Sequence, residues 1–133
     1  MAVALVLLFS FTAGGVVWLA RDVDRAISNR GAAQSIAFQA ARAGAQRVDV
    51  ARLRLDGVLV LDEAAARSES AETAHRLLSA YDLDGVVATL EVEGDRMTVT
   101  IEVFDSGRTV SGVGVARASD GSGEPESRWR TNT

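Results

Sequence analysis

"VVATLEVEGDRMTVTIEVFDSGRTVSGVGVA", residues 86–116, decides the fold. Apolar residues recur at every second position along it. Val86, Ala88, Leu90 and Val92 alternate with Val87, Thr89, Glu91 and Glu93, and Met97, Val99, Ile101 and Val103 form the apolar set of the next run. A period of two places each set on one face of a strand. Gly94-Asp95 fits a two-residue hairpin loop. Registering the strands on that loop sets Glu93 opposite Arg96, Val92 opposite Met97, Leu90 opposite Val99 and Ala88 opposite Ile101. Both apolar sets then share a face, so the register supports itself. A second loop at Ser106-Gly107 sets Val103 opposite Val110 and puts Gly112 and Gly114 on the same buried face. Glycines there leave room for a helix to lie close against the sheet. The expected unit is a small antiparallel meander of three to four strands.

Upstream, Asp62 is placed to cap a helix whose first turn carries Glu63, favourable at the positive helix end. That helix, "EAAARSESAETAHRLLSAYDL", shows Ala71, Ala74, Leu77, Leu78 and Tyr81 at helical spacing. Asp82-Leu83-Asp84-Gly85 ends it, with Gly85 suited to a C-terminal turn. The expectation is that this helix covers one face of the meander. "RVDVARLRLDGVLVL", residues 47–61, is ambiguous: Asp56-Gly57 marks a turn between short β-like runs, and an extra edge strand is one reading. Residues 119–133, "SDGSGEPESRWRTNT", are polar and read as a disordered tail. The fold class is α+β, with a globular part over 47–118.

Before it lies "AISNRGAAQSIAFQAARAGAQ", residues 26–46. From Arg21 to Gln46 there is no proline, and Val23, Ile27, Ala33, Ala37, Ala40, Ala41 and Gly44 fall on one side of a helical net, with Ile36 at its margin. A break near Arg30-Gly31 is compatible with the pattern. The alanine stripe is shallow and lets another helix approach closely. Residues 21–46 are therefore read as a helical extension that associates with sister helices in a bundle or filament. A mostly exposed stalk with one side on the globular part is the plainer alternative.

Ala2 to Ala20, "AVALVLLFSFTAGGVVWLA", carries no charge. As a helix it spans roughly 28 Å, close to the ~30 Å hydrocarbon core of a bilayer. Ser10 and Thr12 can bond back to their own helix. Trp18 falls at interfacial depth. A cleaved secretory signal wants a basic start and small residues before the cut, and "VWLA" is bulky there, although Thr12-Ala13-Gly14 is a marginal site. Residues 1–20 are read as a retained transmembrane helix in preference to a cleaved signal or a buried soluble helix. Gly14 and Gly15 either kink it or admit a close neighbour. Arg21, Arg25 and Arg30 follow the span and by the positive-inside rule would hold that end in the cytoplasm. One continuous helix over both segments would be about 45 residues and roughly 65–70 Å long.

Composition narrows the functions. The chain has 133 residues, a formal charge of −4 and no cysteine, so it has neither disulfides nor a thiolate metal site. All 14 basic residues are arginine, which leaves no lysine for Schiff-base or P-loop chemistry. They are scattered and outnumbered by 18 acidic residues, unlike a nucleic-acid footprint. The single histidine, His75, sits on a helix without an acid–nucleophile pattern and reads as exposed. Asp82, Asp84 and Asp95 lack the further ligands of a calcium loop. Glu91, Glu93 and Glu102 read as a solvated outer sheet face. No phosphate loop, nucleophile elbow or metal spacing occurs, and "SGVGVA" follows a strand pattern instead of opening a helix. The expectation is a non-enzymatic protein with no cofactor, no metal, no nucleic acid and no small-molecule substrate.

The order of elements, an apolar span, an alanine-rich helix ending "QAARAGAQ", a short helix with "LDEAAA" and a hairpin-rich end with "VEGDRMTVTIEV", resembles the TadE/TadG-like proteins of tight-adherence (Tad/Flp) pilus systems, in their alanine- and arginine-rich actinobacterial form. The resemblance covers roughly Ala2 to Ala118. It implies a minor-pilin-like, single-pass membrane component of a surface pilus or secretion apparatus, with its C-terminal part extracytoplasmic. Its partners would be the lipid bilayer and other pilin or assembly subunits. Gly14, Gly15, Ile27, Ala33, Ile36, Ala37, Ala40 and Ala41 are the candidate helix-packing residues. Two features depart from the family pattern: no basic stretch precedes the span, and Leu5 stands where a prepilin counted from Met1 would carry glutamate. The competing class is a membrane-anchored extracytoplasmic binding module whose helix is a spacer.

Overall fold

A computed structural model describes residues 28–119. The expected transmembrane helix, the first part of the extension with Val23 and Ile27, and the tail beyond Ser119 lie outside them. Within them the fold is α+β, three helices and one three-stranded antiparallel sheet. The helices are α1 (28–45), α2 (Val50–Asp56) and α3 (Glu63–Ala80), and the strands β1 (Gly85–Glu93), β2 (Arg96–Asp105) and β3 (Arg108–Arg117), in sheet order β1-β2-β3. Among the described residues no helix is long and apolar enough to cross a membrane.

Both hairpins form where the loops were expected. Gly94 takes a left-handed φ of 59° in the first, and Ser106 (49°) and Gly107 (80°) take it in the second. The β2–β3 register is the expected one, with Val103 opposite Val110, Ile101 opposite Gly112 and Val99 opposite Gly114. In β1–β2, Glu93, Val92 and Leu90 face Arg96, Met97 and Val99 as expected. Ala88 does not face Ile101: the register shifts between Val87 and Thr89, and Val87 takes that place. The extra residue of a bulge reverses which side chains face inward. Val87 then packs against the core, while Val86 and Ala88 turn outward. The larger buried side chain in place of alanine is the physical gain.

Residues 47–61 do not form an edge strand. They hold α2, whose cap residue Asp49 accepts a hydrogen bond from Arg52 N–H at 3.0 Å, and which ends at left-handed Gly57 (φ 67°). Only Val48 and Leu61 pair, as an isolated antiparallel bridge. A capped start and a glycine stop make a helix as locally favourable as the alternating pattern makes a strand. Because α2 buries none of its residues, tertiary packing did not decide the matter.

Helix α3 starts at the expected cap, with Asp62 accepting from Ala65 N–H at 3.1 Å. Its end is not made by Gly85. Asp82 adopts the left-handed conformation (φ 52°), Asp82 N–H donates to Ser79 O and Leu83 N–H to Leu78 O. That is a Schellman ending, with Leu83 and Leu78 as its apolar contact. Gly85 is required for another reason: a Cβ there would lie 2.7 Å from Glu102 O and 2.9 Å from Leu78 Cδ2.

The core lies between the sheet and two helices. Met97, Val99, Ile101 and Val103 on β2 are wholly buried, as are Ile36 on α1 and Ala66 and Ala74 on α3. Helix α3 packs over β1 and touches β2. Helix α1, not α3, is the one laid against the glycines of β3.

Candidate functional site

The candidate site is the small-residue face of α1, because the packing candidates concentrate there. Its buried positions are Ala33, Ile36, Ala37, Ala40, Ala41, Gly44 and Ala45, an alternation of three- and one-residue steps that makes a broad stripe. Ile36 stands at the centre of burial, not at the margin.

The stripe is occupied by the chain's own domain. A Cβ built on Gly112 would meet Gln34 N at 2.3 Å and Ala33 C at 2.4 Å, and one on Gly114 would meet Ala37 C at 2.2 Å. The helix backbone therefore lies directly on the strand backbone. On its other flank α1 crosses α3 at Gly44, where a Cβ would fall 2.2 Å from Ser70 Oγ and 2.9 Å from Ala66 O. The buried Ser70 hydroxyl donates to Ala40 O at 2.9 Å, which satisfies it inside the crossing. Ala33, Ile36, Ala37, Ala40 and Ala41 are each 0% exposed, so the expectation that they pack against helices of other subunits gives way to an intramolecular role. The physical reason is the glycine pair of β3: the shallow helix face and the sheet face without side chains match one another. As in the plainer alternative, 28–45 lays one side on the globular part and leaves the other exposed, and the packed side supplies six of the fourteen buried hydrophobic residues among the described residues. Gly14, Gly15 and Ile27 lie outside the described residues.

Two side chains that the periodicity did not single out close the sheet's edges. Gln34, on α1, donates its Nε2–H to Val113 O and accepts Val113 N–H on Oε1 at 3.1 Å. Its amide thus stands where a neighbouring strand's peptide group would stand on β3. On the opposite edge Arg67, from α3, donates to Leu90 O of β1 while held by Glu63 at 3.0 Å. Unpaired edges invite pairing with other chains, and both of these are blocked in mid-strand. Neither residue betrays this in the sequence, because each acts through a tertiary crossing.

Elsewhere the described residues hold little that is chemical. No group of three or more His, Asp or Glu residues is placed to hold a metal ion, and no buried side-chain N or O lacks a partner. His75 is exposed. Glu91 and Glu93 are exposed on the outer sheet face, and Glu102 is half-buried there. An open depression of about 320 Å³ lies at the C-terminal end of α1, lined by Arg42, Ala45, Gln46, Val48, Arg117 and Ser119. Arg117 Nη1 stands 3.8 Å from Asp95 Oδ2. No protein-family model, curated protein or solved structure matches the chain.

Proposed function

We propose that the chain is a membrane-anchored, minor-pilin-like structural or assembly component of a Tad/Flp-type pilus or secretion apparatus, without enzymatic activity, whose association runs through its N-terminal segment. The observation that carries this reading is α1. The described chain enters the domain as a helix at residue 28, eight residues after an uncharged run long enough to span a bilayer, and that helix is built into the core. From Ser28 onward the chain that follows that run is therefore part of the head itself. The blocked strand edges support the same division of labour, because they leave sheet extension unsuited to subunit assembly. Contacts with other subunits then fall to residues before Ser28, among which Gly14, Gly15 and Ile27 are the candidates.

An anchored binding module is the second reading. It draws on the depression between Arg42 and Arg117, which suits an anionic group. In that reading any spacer falls before Ser28, because one side of 28–45 packs into the domain.

The chain has no cysteine, so single-cysteine variants report cleanly. In membranes holding the full chain, cysteines at Gly14, Gly15 and Ile27 are expected to give bis-maleimide crosslinks between subunits, and one at Ala37 none. Extraction of the intact chain by alkaline carbonate, or the absence of crosslinks at all three positions, overturns the proposal.

A further inference from the structure

We propose that the end of the domain carrying the β2–β3 hairpin rests on the bilayer interface, with Phe104, Val86 and Tyr81 as its apolar contacts. The inference rests on the membrane-anchored reading above and adds to it which surface of the head meets lipid.

Direction comes first. Helix α1 runs beside β3 in the same sense, Ala33 over Gly112 and Ala37 over Gly114. At its start, Asn29 Nδ2 donates to Asp105 Oδ2 at 2.8 Å, so the described chain begins at the hairpin end. At the other end Leu61 N–H bonds Gly94 O and Ala118 N–H bonds Asp95 O. Whatever anchors the chain upstream therefore joins the domain at the end that carries Asp105.

Distance comes second. Only seven residues, 21–27, separate the uncharged run Ala2–Ala20 from Ser28. Chain length alone therefore limits that link to at most about 29 Å. The end of the domain at which the described chain begins is held within that distance of whatever Ala20 is anchored in.

Chemistry comes third. Tyr81 is 54% exposed, Val86 43% and Phe104 40%. All three belong to this end: Phe104 N–H donates to Asp84 O at 2.7 Å, Val86 pairs with Glu102, and Tyr81 closes α3 three residues before Asp84. Aromatic side chains suit the headgroup boundary, where the ring is buried and the hydroxyl stays wet. Exposure alone does not choose the end, because Leu55 at the opposite end is 82% exposed. The path of the chain chooses it. Asp82, Asp84 and Asp105 accompany Arg30 and Arg108 here, so the contact is apolar and does not depend on anionic lipid. The tether supplies a high effective concentration, so a weak contact suffices.

The test uses the full chain in phosphatidylcholine vesicles carrying a nitroxide on the headgroup. A fluorophore is placed on Thr109→Cys, which faces Phe104 across the hairpin, or on Leu55→Cys. Quenching is expected to be severalfold stronger at position 109 than at 55, and to fall when Phe104→Ser is added to the 109 reporter. Equal quenching at 109 and 55 in protein that floats with vesicles overturns the inference and leaves the anchor standing. No change on Phe104→Ser overturns the assigned contact. Protein that does not float with vesicles overturns the anchored reading itself.

Discussion

Replacing Gly114 with alanine tests the closest contact in the fold. The added Cβ would sit 2.2 Å from Ala37 C and 2.3 Å from Ala37 O and Phe38 N, against an ordinary contact of 3.4 Å or more. Every atom it meets is backbone, so no rotamer change relieves it, and α1 must move off the sheet by about 1 Å. Such overpacking typically costs 1–3 kcal/mol, and the upper half, about 2–3 kcal/mol, is expected because a rigid helix must shift as a unit. Read by hydrogen exchange on the full chain, the slowest β2 amides should exchange about 30- to 150-fold faster. Gly112→Ala should act alike, and the double substitution should cost less than the sum, since one displacement of α1 makes room for both. Ala37→Gly should not rescue Gly114→Ala, because the clash is with the main chain. Exchange within a factor of about three of the unsubstituted chain, or rescue by Ala37→Gly, refutes the reasoning.

Gln34→Ala removes both bonds to Val113 and should cost about 1 kcal/mol by denaturant titration. It should also raise self-association by sedimentation, because the β3 edge is opened. Gly44→Ala should destabilise the α1–α3 crossing, and Ser70→Ala should recover part of the loss by removing the Oγ at 2.2 Å, though not the part due to Ala66 O, as thermal unfolding would show. Asp62→Ala should lower global stability by about 1 kcal/mol through the cap of α3. Asp49→Ala should only melt α2, which buries nothing, and amide exchange confined to 50–56 would distinguish the two.

The strands were legible because alternation and loop chemistry agree. Met97, Val99, Ile101 and Val103 name the inner face of β2, and Gly94 and Gly107 mark the turns. The bulge at Ala88 was not legible, since Val86-Val87-Ala88 offers apolar residues in either phase and only the core's preference for Val87 breaks the tie. Gly112 and Gly114 announced a close helix without saying which. Two helices compete for the sheet, and the choice of α1 depends on its alanines meeting those glycines in three dimensions. The stripe on α1 was visible as a packing surface, but a stripe carries no label for its partner, and the partner is the domain itself. Gln34, Arg67 and Ser70 act across crossings between elements distant in sequence, so no local period could reveal them.

The merging of α1 into the core has a mechanical consequence. A pull on the upstream chain enters the head along the axis of β3 and loads the helix–sheet contact in shear along its whole length, through main chain seated on main chain. The head offers no hinge between Ser28 and Ala45 at which it could swivel, so any joint in the stem falls before Ser28. Rotation of α1 about its own axis must turn the sheet with it.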